Sequence, residues 1–314
     1  MNTPILYLVF NRPDLVKKSF KKIQELKPKR LFIAGDGPRE GFEEDKKKCK
    51  EVKEIISNGI CWDCEVNYLY REINLGCGIA VSEAISWFFE NVEEGIILED
   101  DCLPDISFFP FCEELLQRYR GNKKIYHISG SNWQRGCKRG KADYYFSHFP
   151  GVWGWATWKD RWKLYKFDIF EDEDDWRLVE KNLPLLTSSK MEAEFHKNCF
   201  KACEGNKIDT WDYQWRFTVF RNKGICIFPN KNLVSNLGHG EDATHTLNKN
   251  HWRSNLETEE IRFPIIHPKR IKISKKADKF LISNLTAGKE NKKKPPVEFL
   301  KKVKLRISRI LKSF

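Results

Sequence analysis

The chain has 314 residues, of which 40% are hydrophobic, so it is long enough for one large α/β domain with a substantial core. The net charge of +12 is uneven, because the segment from Pro264 onward holds 16 Lys and Arg against 3 acidic residues and residues 1–263 sum to about −1. A near-neutral body lacks the basic stripe that nucleic-acid binding requires, so no nucleic-acid partner is expected. No apolar run is long enough to span a bilayer and the first one is too short for a signal peptide, which predicts a cytoplasmic protein.

Short apolar runs alternate with helical-period segments through the first hundred residues. Strands are predicted at 5–10, 31–34, 65–70 and 95–98, with helices between them at about 14–26, 43–56 and 79–90. Further strands are predicted at 125–129 and 225–229, with an acidic helical portion at about 171–203. This alternation predicts an α/β fold with a mixed, mostly parallel sheet flanked by helices.

Polar residues follow each of the first four predicted strands. They are Asn11 and Arg12, then Asp36, then Arg71 to Asn74, and finally Glu99-Asp100-Asp101. Ligands of open parallel sheets collect beyond the carboxyl ends of the strands. We therefore expect the four clusters to converge on one rim of the sheet.

The Glu99-Asp100-Asp101 triplet is the most informative of these clusters. Three consecutive carboxylates at the end of a buried strand repel one another unless a cation lies among them. Mg²⁺ and Mn²⁺ bind through one or two carboxylates together with phosphate oxygens, so the triplet indicates a metal that holds a phosphorylated substrate. The alternative is a solvated acidic turn.

With these motifs the sequence resembles nucleotide-sugar glycosyltransferases of the GT-A fold. It most resembles the branch that includes N-acetylglucosaminyltransferase I and bacterial surface-polysaccharide glycosyltransferases, over about residues 4–250. The resemblance implies a Rossmann-like sheet and a Mn²⁺ or Mg²⁺ cofactor. It also implies that Asp101 is a direct metal ligand and that Glu99 and Asp100 lie near the ribose and diphosphate.

The other strand-end residues match donor-binding positions of that family. The resemblance implies that Asp36 faces the base or ribose and that Arg71, Asn74 and Gly76 belong to a segment packed beside the nucleotide. Asn11 and Arg12 are further donor-binding candidates. From the residues alone, an Asx-turn aspartate is the favoured interpretation of Asp36. The alternatives for the other residues are a surface arginine at position 12 and a glycine-rich turn that caps a helix around Gly76.

Three motifs of the second half complete the resemblance. Trp153 and Trp155 belong to a glycine-and-tryptophan loop that resembles the donor-sugar and acceptor loop, although core packing is the alternative. Asp212, between two aromatic residues, matches the general base that takes the proton of the acceptor hydroxyl; the alternative is a helix N-cap. His245 in the closing loop 236–245 would ligate the metal, and the role of His239 stays open.

The C-terminal segment differs from the body. Residues 1–263 are predicted as the catalytic domain, with a nucleotide-binding half at about 1–105 and an acceptor half at about 106–263, and residues 264–314 as a basic tail. Apolar residues recur at helical spacing over about 296–314 among Lys and Arg, which predicts an amphipathic helix on an anionic membrane surface. The protein is then peripheral to the inner face of the membrane. A helix packed on the body and a solvated tail are the alternatives.

Together these features predict a metal-dependent, inverting hexosyl- or N-acetylhexosaminyltransferase of polysaccharide biosynthesis. It would move a sugar from a nucleotide diphosphate-sugar to a hydroxyl of a saccharide or glycolipid acceptor. One alternative is a sugar nucleotidyltransferase, which needs a glycine-rich phosphate loop after the first strand, where this chain has Asn11-Arg12-Pro13-Asp14. Another is a non-catalytic carbohydrate-binding protein.

Overall fold

The computed structural model describes residues 1–238 and 252–290. The strands in these ranges are β1 (Ile5–Val9), β2 (Arg30–Gly35), β3 (Glu65–Tyr70), β4 (Glu94–Glu99), β5 (Cys102–Pro104), β6 (Ile125–Ser129), β7 (Tyr144–Ser147), β8 (Trp155–Trp158), β9 (Ile225–Pro229) and β10 (Val234–Asn236). The helices are α1 (Pro13–Leu26), α2 (Glu43–Gly59), α3 (Gly76–Asn91), α4 (Phe108–Tyr119), α5 (Lys159–Trp162), α6 (Glu173–Leu186), α7 (Lys190–Ala202), α8 (Asp212–Arg221) and α9 (Lys275–Glu290).

Eight strands form one sheet in the order β3-β2-β1-β4-β8-β6-β9-β7. The pairs β3–β2, β2–β1, β1–β4 and β6–β9 are parallel, while β8 and β7 run antiparallel to their neighbours. β5 and β10 form a separate two-stranded sheet. The predicted fold class, α/β with a mixed, mostly parallel sheet flanked by helices, is confirmed.

The central strands are continuous apolar runs because both faces of the sheet are covered by helices. All five residues of β1 are buried. α1 begins at Pro13, whose missing N–H costs nothing at the first helical position, and it buries Val16, Phe20 and Ile23 at helical spacing. Burial of these side chains holds α1 beside β1, and so fixes where the loop between them lies.

The glycine-and-tryptophan segment folds differently from the expected loop. Residues 155–158 form β8, which inserts antiparallel between β4 and β6. Only the residues before it, 151–154, remain irregular in this stretch. The side chains of Trp155 and Trp158 are therefore buried within the sheet layers.

The segment predicted as the first part of a tail is integral to the fold. Residues 262–274, here called the strap, run beside the edge strand β7, with Ile273 bridged to Phe146. α9 then packs on the body through buried Ala277, Leu281 and Ile282. The division predicted at residue 263 is therefore placed too early, and the predicted amphipathic helix at 296–314 lies outside the described residues.

The helices of the described ranges include none with the length and apolar character needed to cross a membrane.

Candidate functional site

A cleft of about 1040 Å³ lies at the carboxyl ends of β1, β2 and β4, beside the start of α3. The residues predicted to bind the donor all line it: Asn11, Arg12, Asp36, Arg71, Asn74, Gly76, Glu99 and Asp100. The expected convergence on one rim is therefore observed. The individual roles of these side chains stay predictions.

Arg12 is the counter-charge of the acidic triplet. Glu99 ends β4, and Asp100 and Asp101 lie in the turn after it. The Arg12 guanidinium donates to a carboxylate oxygen of Asp100 and, from Nη1, to Oδ2 of Asp101 at 3.0 Å. Arg12 was expected at the nucleotide; in this conformation it neutralises two of the three acids.

Burial and mutual repulsion shape the charges of this cluster. Burial, reinforced by the negative charge of Asp101, raises the pKa of Glu99 above its usual range. Burial also raises the pKa of Asp100, and Arg12 acts against that shift. Burial alone would lower the pKa of Arg12, but the carboxylates of Asp100 and Asp101 outweigh it and raise that pKa. The cluster therefore favours additional positive charge.

Asp101 also anchors the segment that leads into the predicted closing loop. Its Oδ1 accepts from Asn236 Nδ2 at 3.0 Å, and its backbone carbonyl accepts from Leu237 N at 2.8 Å. Gly238 lies so close that a Cβ there would collide with the Asp101 carboxylate. His245, the second predicted metal ligand, and His239 lie outside the described residues.

The divalent cation predicted at the acidic triplet stays a prediction. Within residues 1–238 and 252–290, no three His, Cys, Asp or Glu side chains form a group that could hold a metal ion by themselves. The carboxylates of the triplet are the ligand type that Mg²⁺ or Mn²⁺ uses together with phosphate oxygens, and both oxygens of Asp101 accept hydrogen bonds, from Arg12 and Asn236. Burial, together with repulsion by Asp101, raises the pKa of Glu99, so the charge of this carboxylate is poorly compensated. The residues therefore fit a metal that is completed by a phosphorylated ligand.

Two aspartates share the free N–H groups at the start of α3. The Asp36 carboxylate accepts from the backbone N–H of Leu75 at 3.0 Å and of Gly76 at 3.2 Å. Asp209 accepts from Cys77 N at 2.8 Å and from Gly78 N at 2.6 Å. The positive end of α3 is thus neutralised by carboxylates of this chain, and it has no free N–H groups left for a phosphate.

Asp36 is consequently a loop-organising residue as well as a cleft residue. It also accepts from Gly37 N at 2.9 Å and from Asn74 Nδ2 at 2.8 Å. Burial raises the pKa of Asp36, against the effect of these donors. The Asx-type bonding is therefore present, and contact of Asp36 with a base or ribose stays a prediction.

The remaining donor candidates are held by acidic partners. Asn11 Nδ2 donates to Asp45 Oδ1 at 2.6 Å, and Arg39 Nε donates to Asp45 Oδ2 at 2.6 Å. The bond from Arg39 lowers the pKa of Asp45 to about 2. Arg71 Nη2 pairs with Glu83 on α3 at 2.6 Å, an exposed partner that a phosphate could replace.

Asp212 is the first residue of α8 and does not cap it. The residue before it, Trp211, is the N-cap position and makes no side-chain cap. Asp212 Oδ1 accepts from Thr210 Oγ1 at 2.5 Å, and Oδ2 lies 3.8 Å from Arg216 Nη2. The negative charge of Asp212 makes a small contribution to the raised pKa of Glu99, after burial and the charge of Asp101.

The two tryptophans proposed for sugar contact have different environments. Trp155 is fully buried and stacks against His127 at 4.9 Å and Trp211 at 5.6 Å between ring centroids. Trp155 is therefore a core residue and not a sugar contact, because it has no exposed surface. Trp153 is partly buried, with the Arg253 guanidinium 4.9 Å from its ring, and its predicted role stays open.

Two functional-site residues were missed by sequence analysis. Asp45 could have been found, because it shares the buried face of α2 with Cys49, Val52 and Ile56 at helical spacing. Asp209 lines the cleft, but its partners lie 131 residues and more away along the chain. The pair Gly76 and Gly78 signals that some group approaches closely, and the sequence gives no means to identify that group as Asp209.

No known protein family matches the sequence, and no curated protein matches it. Among solved structures, the galactosyltransferase LgtC in complex with donor and acceptor sugar analogs is similar at 12% identity and a TM-score of 0.37, over 69% of this chain and 70% of that chain. UDP-glucose pyrophosphorylase complexed with UDP-glucose is similar at 11% identity and a TM-score of 0.36, over 72% and 90%. HddC from Yersinia pseudotuberculosis is similar at 11% identity and a TM-score of 0.33, over 54% and 84%. Similarities of this strength do not show a family for the chain.

Proposed function

We propose that the chain is a metal-dependent glycosyltransferase that moves a sugar from a nucleotide diphosphate-sugar to a hydroxyl of a saccharide or glycolipid acceptor. The observation that carries the proposal is the convergence of eight donor-binding candidates on one cleft that also borders the acidic triplet. A cleft of about 1040 Å³ is at the upper end of small-molecule sites, large enough for a nucleotide with its sugar.

The proposed chemistry is a single displacement at C1 of the donor sugar, which inverts that centre. Asp212 accepts the proton of the acceptor hydroxyl as its oxygen attacks C1, and the sugar–phosphate bond breaks with its electrons remaining on the diphosphate. Thr210 holds the Asp212 carboxylate in one orientation through the 2.5 Å bond. A Mn²⁺ or Mg²⁺ ion held by Asp101 with Glu99 would neutralise charge on the leaving diphosphate when bound.

Arg12 would contribute to the same neutralisation. Its guanidinium is held at the rim by Asp100 and Asp101, within the cleft that would receive the diphosphate. A planar guanidinium offers several donors and can pair with a carboxylate and a phosphate at once. We therefore assign Arg12 to both the acidic triplet and the donor.

A sugar nucleotidyltransferase is the rival enzyme on this type of sheet. The connection from β1 to α1 is Phe10-Asn11-Arg12, and α1 starts at Pro13. Three residues without glycine give little backbone with which to wrap a nucleoside triphosphate. A pyrophosphate-release assay with nucleoside triphosphates and sugar 1-phosphates separates the two enzymes, since glycosyl transfer releases no pyrophosphate.

Membrane association is part of the proposal. Residues 291–314, which follow α9 in the sequence, hold nine Lys and Arg against one acidic residue, and this charge of about +8 is the electrostatic handle for an anionic leaflet. The acceptor would then be a glycolipid or a saccharide on a lipid carrier, met at the inner face of the membrane by a peripheral cytoplasmic enzyme.

A thermal-shift screen of nucleotide sugars, each with and without Mn²⁺, tests the proposed function. We expect nucleotide sugars of one nucleobase to raise the melting temperature when metal is present. Asp101→Asn should lose that shift, because a carboxylate ligand becomes a neutral amide. Asp63→Asn, at an exposed position far from the cleft, is the matched control and should keep it. Undiminished turnover by Asp101→Asn in EDTA would overturn the metal assignment, and no shift with any nucleotide sugar would overturn the enzyme class.

A further inference from the structure

The inference concerns Asp209, an exposed cleft residue outside all the motifs that the sequence analysis identified. Its two carboxylate oxygens are both used: Oδ2 accepts from Cys77 N at 2.8 Å and Oδ1 from Gly78 N at 2.6 Å. These donors belong to the first turn of α3, whereas Asp209 lies just before α8. The carboxylate therefore links the first turn of α3 to the segment just before α8, a contact called here the Asp209 joint.

The glycines of α3 are explained by this contact. A Cβ at Gly76 would lie 2.7 Å from Asp209 Oδ2, and one at Gly78 would lie 2.9 Å from Asp209 Oδ1 and 3.0 Å from the Thr210 carbonyl oxygen. A Cβ at either position would displace the Asp209 carboxylate from its N–H donors, and one at Gly78 would also press on the backbone of Thr210. The spacing Gly76-Cys77-Gly78 thus permits the close approach of residues 209 and 210, where a ligand was expected from the sequence.

A short chain of contacts continues from this joint to Asp212. Thr210 is buried, its carbonyl oxygen lies against Gly78 and accepts from Gln214 Nε2 at 2.8 Å, and its hydroxyl donates to Asp212 Oδ1 at 2.5 Å. Fixing Asp209 on α3 consequently fixes Thr210, and Thr210 in turn orients the carboxylate of Asp212.

We propose that Asp209 is a positioning residue that sets the place of the Asp212 carboxylate relative to the donor held beside α3. This inference rests on the proposed function, because it takes Asp212 as the base. A base that is displaced by about 1 Å loses roughly a hundredfold in rate, while the donor contacts are unaffected. Asp209 thereby acts on turnover through geometry, without touching the reacting atoms.

Asp209→Ala and Asp209→Asn test the proposal, with Asp172→Ala as the matched control. Asp172 is a partly exposed aspartate that also accepts two backbone N–H groups, but they belong to its own helix α6. The substrate is the nucleotide sugar selected by the thermal-shift screen. We expect Asp209→Ala to lower kcat by about 10- to 100-fold with a donor KM within about threefold of wild type. Asp209→Asn, which keeps one acceptor oxygen and the shape, should recover part of the loss, and Asp172→Ala should change neither constant.

Hydrogen exchange on the same variants gives a readout that needs no substrate. Asp209→Ala should speed exchange both at 76–80 and at 210–216, because the joint holds the two segments together, whereas Asp172→Ala should speed it at α6 alone. Faster exchange confined to 76–80, or an unchanged kcat, would overturn the positioning role and leave Asp209 a local cap. If wild type turns over no nucleotide sugar, the proposed function fails, and the exchange at 210–216 still decides whether the joint exists.

Discussion

The Asp212 carboxylate has defined partners on both oxygens, Thr210 at 2.5 Å and Arg216 at 3.8 Å. Asp212→Asn keeps the shape and can still accept from Thr210, but an amide cannot take a proton from an acceptor hydroxyl. We expect donor binding near that of wild type and a loss of about 10² to 10⁴ in rate. Calorimetric titration of the donor and steady-state kinetics on the same preparation measure the two quantities, and normal turnover would remove Asp212 from the proposed chemistry.

A second residue-scale prediction concerns stability. Asp278 on α9 is buried, and burial raises its pKa from 3.8 to about 7, with Ser147 Oγ donating to it at 2.5 Å. Between these two values the folded chain holds a proton that the unfolded chain has released. The stabilisation is thus complete below about pH 4 and is lost as the pH rises through 7, by about 4 kcal/mol at most.

Asp278→Asn removes this titrating carboxyl group and replaces it with an amide of similar size. Its unfolding free energy should change less than that of wild type between pH 5 and 8, and should exceed it at pH 8. Urea unfolding followed at several pH values measures both curves. Since the pKa of the neighbouring Glu192 is also raised by burial, the difference between the two proteins is the relevant quantity. Parallel curves would show that Asp278 is ionised throughout.

Residue positions were predictable from sequence where they follow from strand ends. Asn11, Asp36 and Glu99 were placed correctly at one rim because polar residues directly follow buried strands. The pairing of Arg12 with Asp100 and Asp101 was not predicted, since it joins residues about ninety positions apart. Periodicity carries no information about such contacts.

At the scale of elements, the start of α3 is closely packed against the segment before α8. Gly78→Ala would gain roughly 1 kcal/mol of helix propensity, but its methyl group would meet Asp209, Thr210 and Phe167 at 2.9 to 3.2 Å. Overpacking of this kind costs about 1–3 kcal/mol, so the clash outweighs the propensity. We expect a lower melting temperature and reduced turnover.

Gly121→Ala is the matched control for that substitution. Gly121 follows α4, and a Cβ there meets no atom within 4 Å, so the change should be neutral or slightly stabilising. Thermal melts of both variants, followed by circular dichroism, give the comparison. Equal effects of the two substitutions would show that Asp209 and Thr210 can move away from α3 at little cost.

Helices and strands were predictable wherever apolar residues followed a single spacing or formed one short continuous run. The strands at 65–70, 125–129 and 225–229 coincide with β3, β6 and β9. β8 was missed because Trp155–Trp158 has no alternation, all four residues being buried between two other strands. The acidic portion at 171–203 proved to be two helices, α6 and α7, separated at 187–189.

At the scale of the whole molecule, deletion of residues 295–314 tests the membrane proposal. The predicted amphipathic helix lies outside the described residues, and the expectation comes from its charge and apolar spacing. The truncated protein should keep activity on soluble acceptor mimics and lose binding to vesicles of anionic lipid, as measured by co-sedimentation. High salt should reverse the binding of the full chain incompletely, because apolar insertion is not screened.

Charge reversal at Lys301, Lys302 and Arg306 is the companion variant, and it should weaken vesicle binding without lowering the melting temperature. A truncated protein that melts much earlier would identify residues 295–314 as a packed structural helix instead.

Whether a basic segment packs on the body was misjudged from sequence for residues 264–290. Their composition resembles that of a tail, yet Ile265 and Leu281 are buried in the body.

The strap has a consequence for self-association. An eight-stranded open sheet has two outer strands, here β3 and β7, and each could in principle recruit a strand from another molecule. At β7 the strap occupies the position that such a strand would take. Phe146 forms a β-bridge with Ile273, and the carbonyl of Phe146 accepts from Ser274 N at 2.8 Å. The strap thus covers the outer edge of the sheet, and its removal would leave backbone N–H and C=O groups of Tyr144–Ser147 exposed for pairing with a strand of another molecule.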